Sequence, residues 1–106
     1  MRAARSRTRT LRRRLSLRDD EVRSVLRRYS ASNPRLFGSV ARGDAGPDSD
    51  IDLLVDLDPG GGNPLMRVAG MSEELSLLLG VRVDVVSDEL LREHVSAAAR
   101  AEAVAL

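Results

Sequence analysis

The 106-residue sequence has no cysteine, no tryptophan and no lysine; all 17 of its basic residues are arginine. Without cysteine there can be no disulfide, no thiolate-bound zinc and no thiol nucleophile, and the chain suits a reducing cytoplasm. Tyr29 and Phe37 are the only aromatic residues, too few for the stacking platforms on which single-strand binders lay successive bases. No apolar run approaches the roughly 18–20 residues of a membrane span, so no membrane partner is expected. The exclusive use of arginine, with the alanine and glycine content, fits a GC-rich coding sequence and carries little functional weight. A chain of this length is expected to form one domain that buries about 60–70% of its unfolded surface.

The net charge of +1 hides a strong asymmetry. Residues 1–35 hold 12 Arg against 3 acids, or +9, whereas residues 36–106 hold 5 Arg against 13 acids, or −8. The first 15 residues, MRAARSRTRTLRRRL, contain no acid and show little apolar periodicity. They are expected to be a solvated, disordered arm preceding a domain at residues 16–106. Such a run also suits contact with nucleic acid or an acidic partner. Its Arg and Ser content overlaps that of a transit peptide, although it lacks an apolar face.

From Ser16 onward the pattern is regular. Ser16 and Asp19 resemble a capping box, with Val22, Val25, Leu26 and Tyr29 following at helical spacing. Asn33-Pro34 should end that helix, and Arg35 to Phe37 reads as a short strand stopping at Gly38. Ile51 to Leu57 is a second strand, broken by Asp58-Pro59 and Gly60-Gly61-Gly62, which read as a flexible connection. Asn63 caps a helix with Pro64 in its first turn and Val68, Met71, Leu75 and Leu78 as its apolar stripe, and Gly80 closes it. Val81 to Val86 alternates as a third strand. Ser87 then caps a last helix containing Leu91, His94, Val95 and Ala98, in which His94 has no ligand partner nearby. The order helix, strand, strand, helix, strand, helix indicates a compact α/β or α+β domain.

The chemistry concentrates between Gly38 and Asp58, in GSVARGDAGPDSDIDLLVDLD. On a strand Asp50 and Asp52 point to one face, opposite Ile51, Leu53 and Val55; Asp84 likewise shares a face with Arg82. If the two strands are neighbours, three carboxylates converge. Such a group must raise its own pKa values or recruit cations. Hard oxygen donors without His or Cys suit Mg²⁺ or Mn²⁺, and two such ions about 3.5–4 Å apart are the usual device for in-line phosphoryl displacement. Gly38 lets backbone N–H groups approach a phosphate, and Ser39 offers a hydroxyl and a cap for a short turn from Val40 to Arg42. Arg42 is placed either to contact a phosphate or to pair with Asp44 or Asp48, which otherwise read as solvated turn acids. Asp56 and Asp58 fall past the site.

These residues resemble the signature of the nucleotidyltransferase superfamily with the polymerase-beta fold. More closely, they resemble the minimal nucleotidyltransferases of prokaryotic toxin–antitoxin pairs. The shared motif is Gly-Ser, ten residues, then Asp-x-Asp, matched by Gly38, Ser39, Asp50 and Asp52, with Asp84 of GVRVDVVS matching a later strand aspartate. The ending AEAVAL is similar to the last helix of many such proteins. The resemblance covers residues 16–106. It implies a small mixed sheet flanked by helices, with Gly38 and Ser39 gripping a triphosphate. Asp50, Asp52 and Asp84 would bind two Mg²⁺ ions, or Mn²⁺, and Asp84 would help take the acceptor's proton. The implied reaction moves AMP from ATP to a tyrosine hydroxyl of a cognate HEPN-type toxin, usually a ribonuclease. Three alternatives stand beside it: an antitoxin that neutralises its toxin by binding alone, a nucleic-acid-binding module resting on the arginine arm, and a transferase acting on a free small molecule.

Overall fold

The apolar run at 51–55 becomes the inner strand of a mixed sheet. The computed structural model describes residues 2–43, 45, 50–88 and 104–106. Among them β1 (Ala31–Phe37), β2 (Ile51–Leu57), β3 (Val83–Ser87) and β4 (Val104–Ala105) are ordered β3-β2-β1-β4. β2 runs parallel to β3 and antiparallel to β1, and β1 is antiparallel to β4. Ile51, Leu53, Leu54 and Val55 are all at most 1% exposed, so β2 is buried on both faces through its middle.

A parallel pair needs a crossover, and α4 (Pro64–Leu79) supplies it between β2 and β3. The Asn63 side-chain oxygen accepts from the N–H groups of Leu65 and Met66 at 2.9 and 3.2 Å, which fixes the start of α4 as expected. Val68, Met71, Leu75 and Leu79 form its buried face, with Leu78 only partly covered. Two serines on α4 then reach β3. Ser76 Oγ accepts from Val83 N–H at 2.8 Å and Ser72 Oγ from Val85 N–H at 2.9 Å, satisfying donors that would otherwise line an open strand edge. Among the described residues, no helix is long and apolar enough to cross a membrane.

The structure corrects the expected disordered arm. Residues Arg2–Leu17 form α1, and Leu11 and Leu15 are buried in the same core as Val22, Val40 and Ile51. Two leucines four residues apart make a narrow stripe with little periodic signal, but polar anchors reinforce it. Thr8 Oγ1 accepts from Ala45 N–H at 3.2 Å, and Arg14 donates to the carbonyls of Leu79 and Gly80 at 3.1 and 3.3 Å. Ser16 therefore lies inside a helix and is no N-cap. α2 (Asp19–Arg28) starts after Arg18 without a side-chain cap, its first turn carrying Asp19, Asp20 and Glu21.

Two further boundaries differ. α2 stops at Arg28 and β1 already begins at Ala31, running through Asn33-Pro34. The register with β2 slips between Ser32 and Arg35, and Asn33 has φ 52°. Proline cannot donate to a ladder and asparagine tolerates the left-handed region, so the pair makes a bulge where a helix stop was expected. At the C-terminus, Ser87 ends β3, and Val104 and Ala105 pair with Leu36 and Arg35 as a strand, where a helical ending was expected. The expected last helix, including His94, falls on residues 89–103, outside the described residues, as do Asp44 and Asp48.

Gly60-Gly61-Gly62 is a shaped turn rather than a plain connection. Arg67, 6% exposed, donates to the carbonyls of Tyr29, Ser30 and Asp58 at 2.9, 2.7 and 3.1 Å. A Cβ on Gly61 would stand 2.7 Å from its guanidinium carbon, so a side chain there would have to displace the guanidinium from its carbonyls.

Candidate active site

The parallel pairing of β2 with β3 sets Asp52 directly opposite Asp84, with Ile51 opposite Val83. In-register partners share a sheet face, so both carboxylates stand on one side. Asp50, two residues before Asp52, joins that side at the head of β2. Leu54 continues the same face and is buried, which leaves the aspartates at the rim of the sheet.

On the other side of β2, Asp52 is opposite Phe37, the last residue of β1. The chain then turns through Gly38, at φ 70°, into the short helix α3 (Gly38–Arg42). A side chain at position 38 would collide with Asp52 Oδ2 as well as being strained at that φ. Glycine is thus what allows the turn to start against the carboxylate. Ser39 is the second residue of α3, and its side chain is not among those described. Arg42 ends α3, where it is exposed.

Asp52 is the partly buried member of the group on which desolvation weighs most. Burial, then the charges of Asp84 and Asp50, push its pKa from 3.8 up to about 6, against the opposing pull of Arg42 and Arg82. Arg82 Nε lies 3.6 Å from both Asp50 Oδ2 and Asp84 Oδ1, yet its side chain is 72% exposed, so water screens its charge. The face therefore carries more negative charge than the protein compensates. Among the described residues, no three His, Cys, Asp or Glu side chains are gathered tightly enough to hold an ion as they stand; the Arg82 guanidinium lies between Asp50 and Asp84. The donor set nevertheless fits a divalent ion. It is all carboxylate, it holds one desolvated member, and a small cation would relieve the repulsion better than an exposed arginine.

Two contributors were missed in the sequence. Arg82 was legible only as a residue sharing the Asp84 face. Arg12 Nη2 donates to the carbonyls of Val40 and Ala41 at 3.3 and 3.4 Å and so holds the end of α3; no local pattern could show this, because the two segments are far apart in the chain. Outside the site, Asp56 pairs with the Arg35 guanidinium at 2.6 Å and accepts from the Asn33 amide at 3.0 Å, as befits an acid past the site. Tyr29 packs over Gly70 and donates to Glu74, which holds the Tyr29 pKa above its usual value and that of Glu74 below.

A carboxylate-rimmed strand pair faced by a glycine-led helical turn suits phosphoryl transfer. The comparisons narrow that class. The family profile described as a nucleotidyltransferase domain matches residues 20–104, and the chain belongs to that family. It is 33% identical over 87 residues to protein adenylyltransferase MntA of Thermococcus cleftensis, covering 73% of this chain and 84% of that one. It is also 31% identical over 75 residues to a Methanocaldococcus jannaschii protein, MJ1379, provisionally described as a protein adenylyltransferase; that match covers 63% of this chain and 75% of the other. A solved structure provisionally described as a minimal nucleotidyltransferase superposes with a TM-score of 0.66 at 43% identity, over 87% of this chain and 92% of that chain. The protein is a nucleotidyltransferase with the mixed α/β architecture of that relative.

Proposed function

We propose that this nucleotidyltransferase moves AMP from ATP to a hydroxyl of a partner protein, and that it is the antitoxin of a toxin–antitoxin pair whose toxin, of HEPN type, presents the accepting tyrosine. The observation that carries the reading is the in-register Asp52–Asp84 pair with Asp50 beside it, facing the Gly38 turn, in a chain of this family. Support for a protein acceptor comes from relatives that bear the name protein adenylyltransferase.

In this reading the bare Gly38 and the first backbone N–H groups of α3 receive the triphosphate, with the Ser39 hydroxyl as a further donor. Arg42 adds positive charge on the same side. Asp50, Asp52 and Asp84 would hold divalent ions, Mg²⁺ or Mn²⁺, whose chemistry is to neutralise the phosphate oxygens and acidify the acceptor hydroxyl. Arg82 must swing away from Asp50 and Asp84 when they take up that role, and its exposure makes this inexpensive. Asp84 accepts the proton as the acceptor oxygen bonds to the α-phosphorus and pyrophosphate departs. The protein's own share is positioning and charge compensation.

The test is to incubate the protein with ATP, Mg²⁺ and the product of the adjacent gene, then weigh the partner by intact mass spectrometry. The expected result is a gain of one or more AMP groups, absent with an Asp50→Ala/Asp52→Ala variant. An unmodified partner whose toxicity is still neutralised by that variant would establish inhibition by binding alone.

A further inference from the structure

Between α1 and α3 lies a cleft of about 660 Å³ whose charged lining, among the described residues, is Arg9, Arg12, Arg13 and Arg42. Arg12 is engaged with the carbonyls of Val40 and Ala41. Arg9 and Arg13 stand four residues apart on one face of α1, both exposed, with no ion pair or hydrogen bond to another described residue. The exposed guanidinium groups of Arg9 and Arg13 repel one another, and positive potential in a concave site focuses on anions. This pair thus offers a site for more than one negative charge.

Its position says what kind. The wall formed by Ala41, Arg42 and Gly43 is the end of the same short helix that begins at Gly38 against Asp52, so the cleft adjoins the proposed nucleotide site. The opposite wall is α1, which precedes the segment 20–104 that matches the nucleotidyltransferase family. A single-stranded nucleic acid would bind best with aromatic platforms for its bases, and neither Tyr29 nor Phe37 is among the residues lining this cleft.

We propose that the α1–α3 cleft docks an acidic segment, rich in Asp and Glu, of the protein acceptor, a reading that rests on the acceptor being a protein. Carboxylates in series meet the fork geometry of Arg9 and Arg13, speed encounter through opposite charge, and bring the acceptor to the Ala41–Gly43 end of α3, one short helix away from the Gly38 turn against Asp52.

The probes are a fluorescein-labelled decaglutamate peptide, a labelled decauridylate RNA and a fluorescent ATP analogue with Mg²⁺, each followed by anisotropy at low salt. The intact protein is compared with R9E/R13E and R9Q/R13Q. The proposal expects the peptide to bind the native chain, to weaken at least about tenfold in R9E/R13E and by less in R9Q/R13Q, while ATP-analogue affinity stays within about twofold. No peptide binding, or equal binding by all three proteins, overturns it. So does tighter binding of the RNA with the same dependence on Arg9 and Arg13, which would assign the cleft to nucleic acid. Loss of the ATP analogue in the variants would make the cleft part of the nucleotide site and also overturn it. None of these readouts involves AMP transfer, so a failure of the adenylylation reading would be seen separately.

Discussion

Consider Asp52→Asn in protein freed of divalent ions with EDTA. Burial, with Asp84 and Asp50 nearby, lifts the pKa of Asp52 in the fold from 3.8 to about 6. Ionising such a carboxyl at neutral pH costs the folded state up to about 3 kcal/mol relative to the unfolded chain. The side chain keeps some contact with water, and screening reduces this to about 1–2 kcal/mol. Asparagine has nearly the same shape and no charge, so the variant should melt about 5–10 °C higher than the native protein at about pH 7.5. The sign follows from the raised pKa. The fold favours the protonated acid, so the native protein is fully stabilised below about pH 4 and loses that stability as pH rises through about 6. Thermal melts followed by circular dichroism from about pH 4.5 to 8 should therefore show the gap opening over this range and then levelling. Adding Mg²⁺ should raise the native midpoint and leave that of the variant nearly unmoved, and nucleotidyl transfer by the variant should fall by at least about a hundredfold. A variant that melts no higher than the native protein at about pH 7.5, or by the same margin at every pH, would refute the account of Asp52 as a desolvated carboxylate held among like charges.

Three other substitutions test the supporting structure. Gly38→Ala forces a Cβ into the Asp52 carboxylate at φ 70°; it should cost about 1–2 kcal/mol of stability and lower kcat/KM for ATP at least about tenfold, and activity within twofold of native would contradict the close approach. Arg67→Met removes the guanidinium shared by three carbonyl oxygens, of which that of Ser30 also accepts from Asp58 N–H, so urea denaturation should reveal a loss of about 3–5 kcal/mol, whereas a loss below about 1 kcal/mol would mean that water replaces the guanidinium. Leu11→Ala removes a fully buried side chain of α1 and should cost about 2–4 kcal/mol by the same measurement; no loss would show that α1 does not dock.

β2, β3 and α4 were legible because their signals are local. Alternation marks β2 and β3, and Asn63, Pro64 and Gly80 bracket α4. Punctuation misled at Asn33-Pro34, since the same two residues that stop a helix also make a bulge, and only pairing with β2 selects between them. α1 was illegible for a related reason. Its apolar stripe is only Leu11 and Leu15, and the acceptors that hold its arginines, the carbonyls of Val40, Ala41, Leu79 and Gly80, lie elsewhere in the chain. Arg67 is the extreme case: a charged residue type almost never found buried, drawn inside by carbonyls that converge only in the folded turn.

For the candidate site the division is sharper. The spacing of Gly38, Ser39, Asp50, Asp52 and Asp84, and the face each aspartate takes on its own strand, belong to the sequence, because the extended backbone of a strand turns successive side chains to opposite faces whatever the strand pairs with. That Asp52 stands opposite Asp84 rather than one residue out of step was decided by the parallel register of β2 and β3. A slip of one residue would have turned one carboxylate into the core. The burial that sets Asp52 apart from its neighbours, and the Arg82 guanidinium between Asp50 and Asp84, likewise depend on segments that meet only in three dimensions.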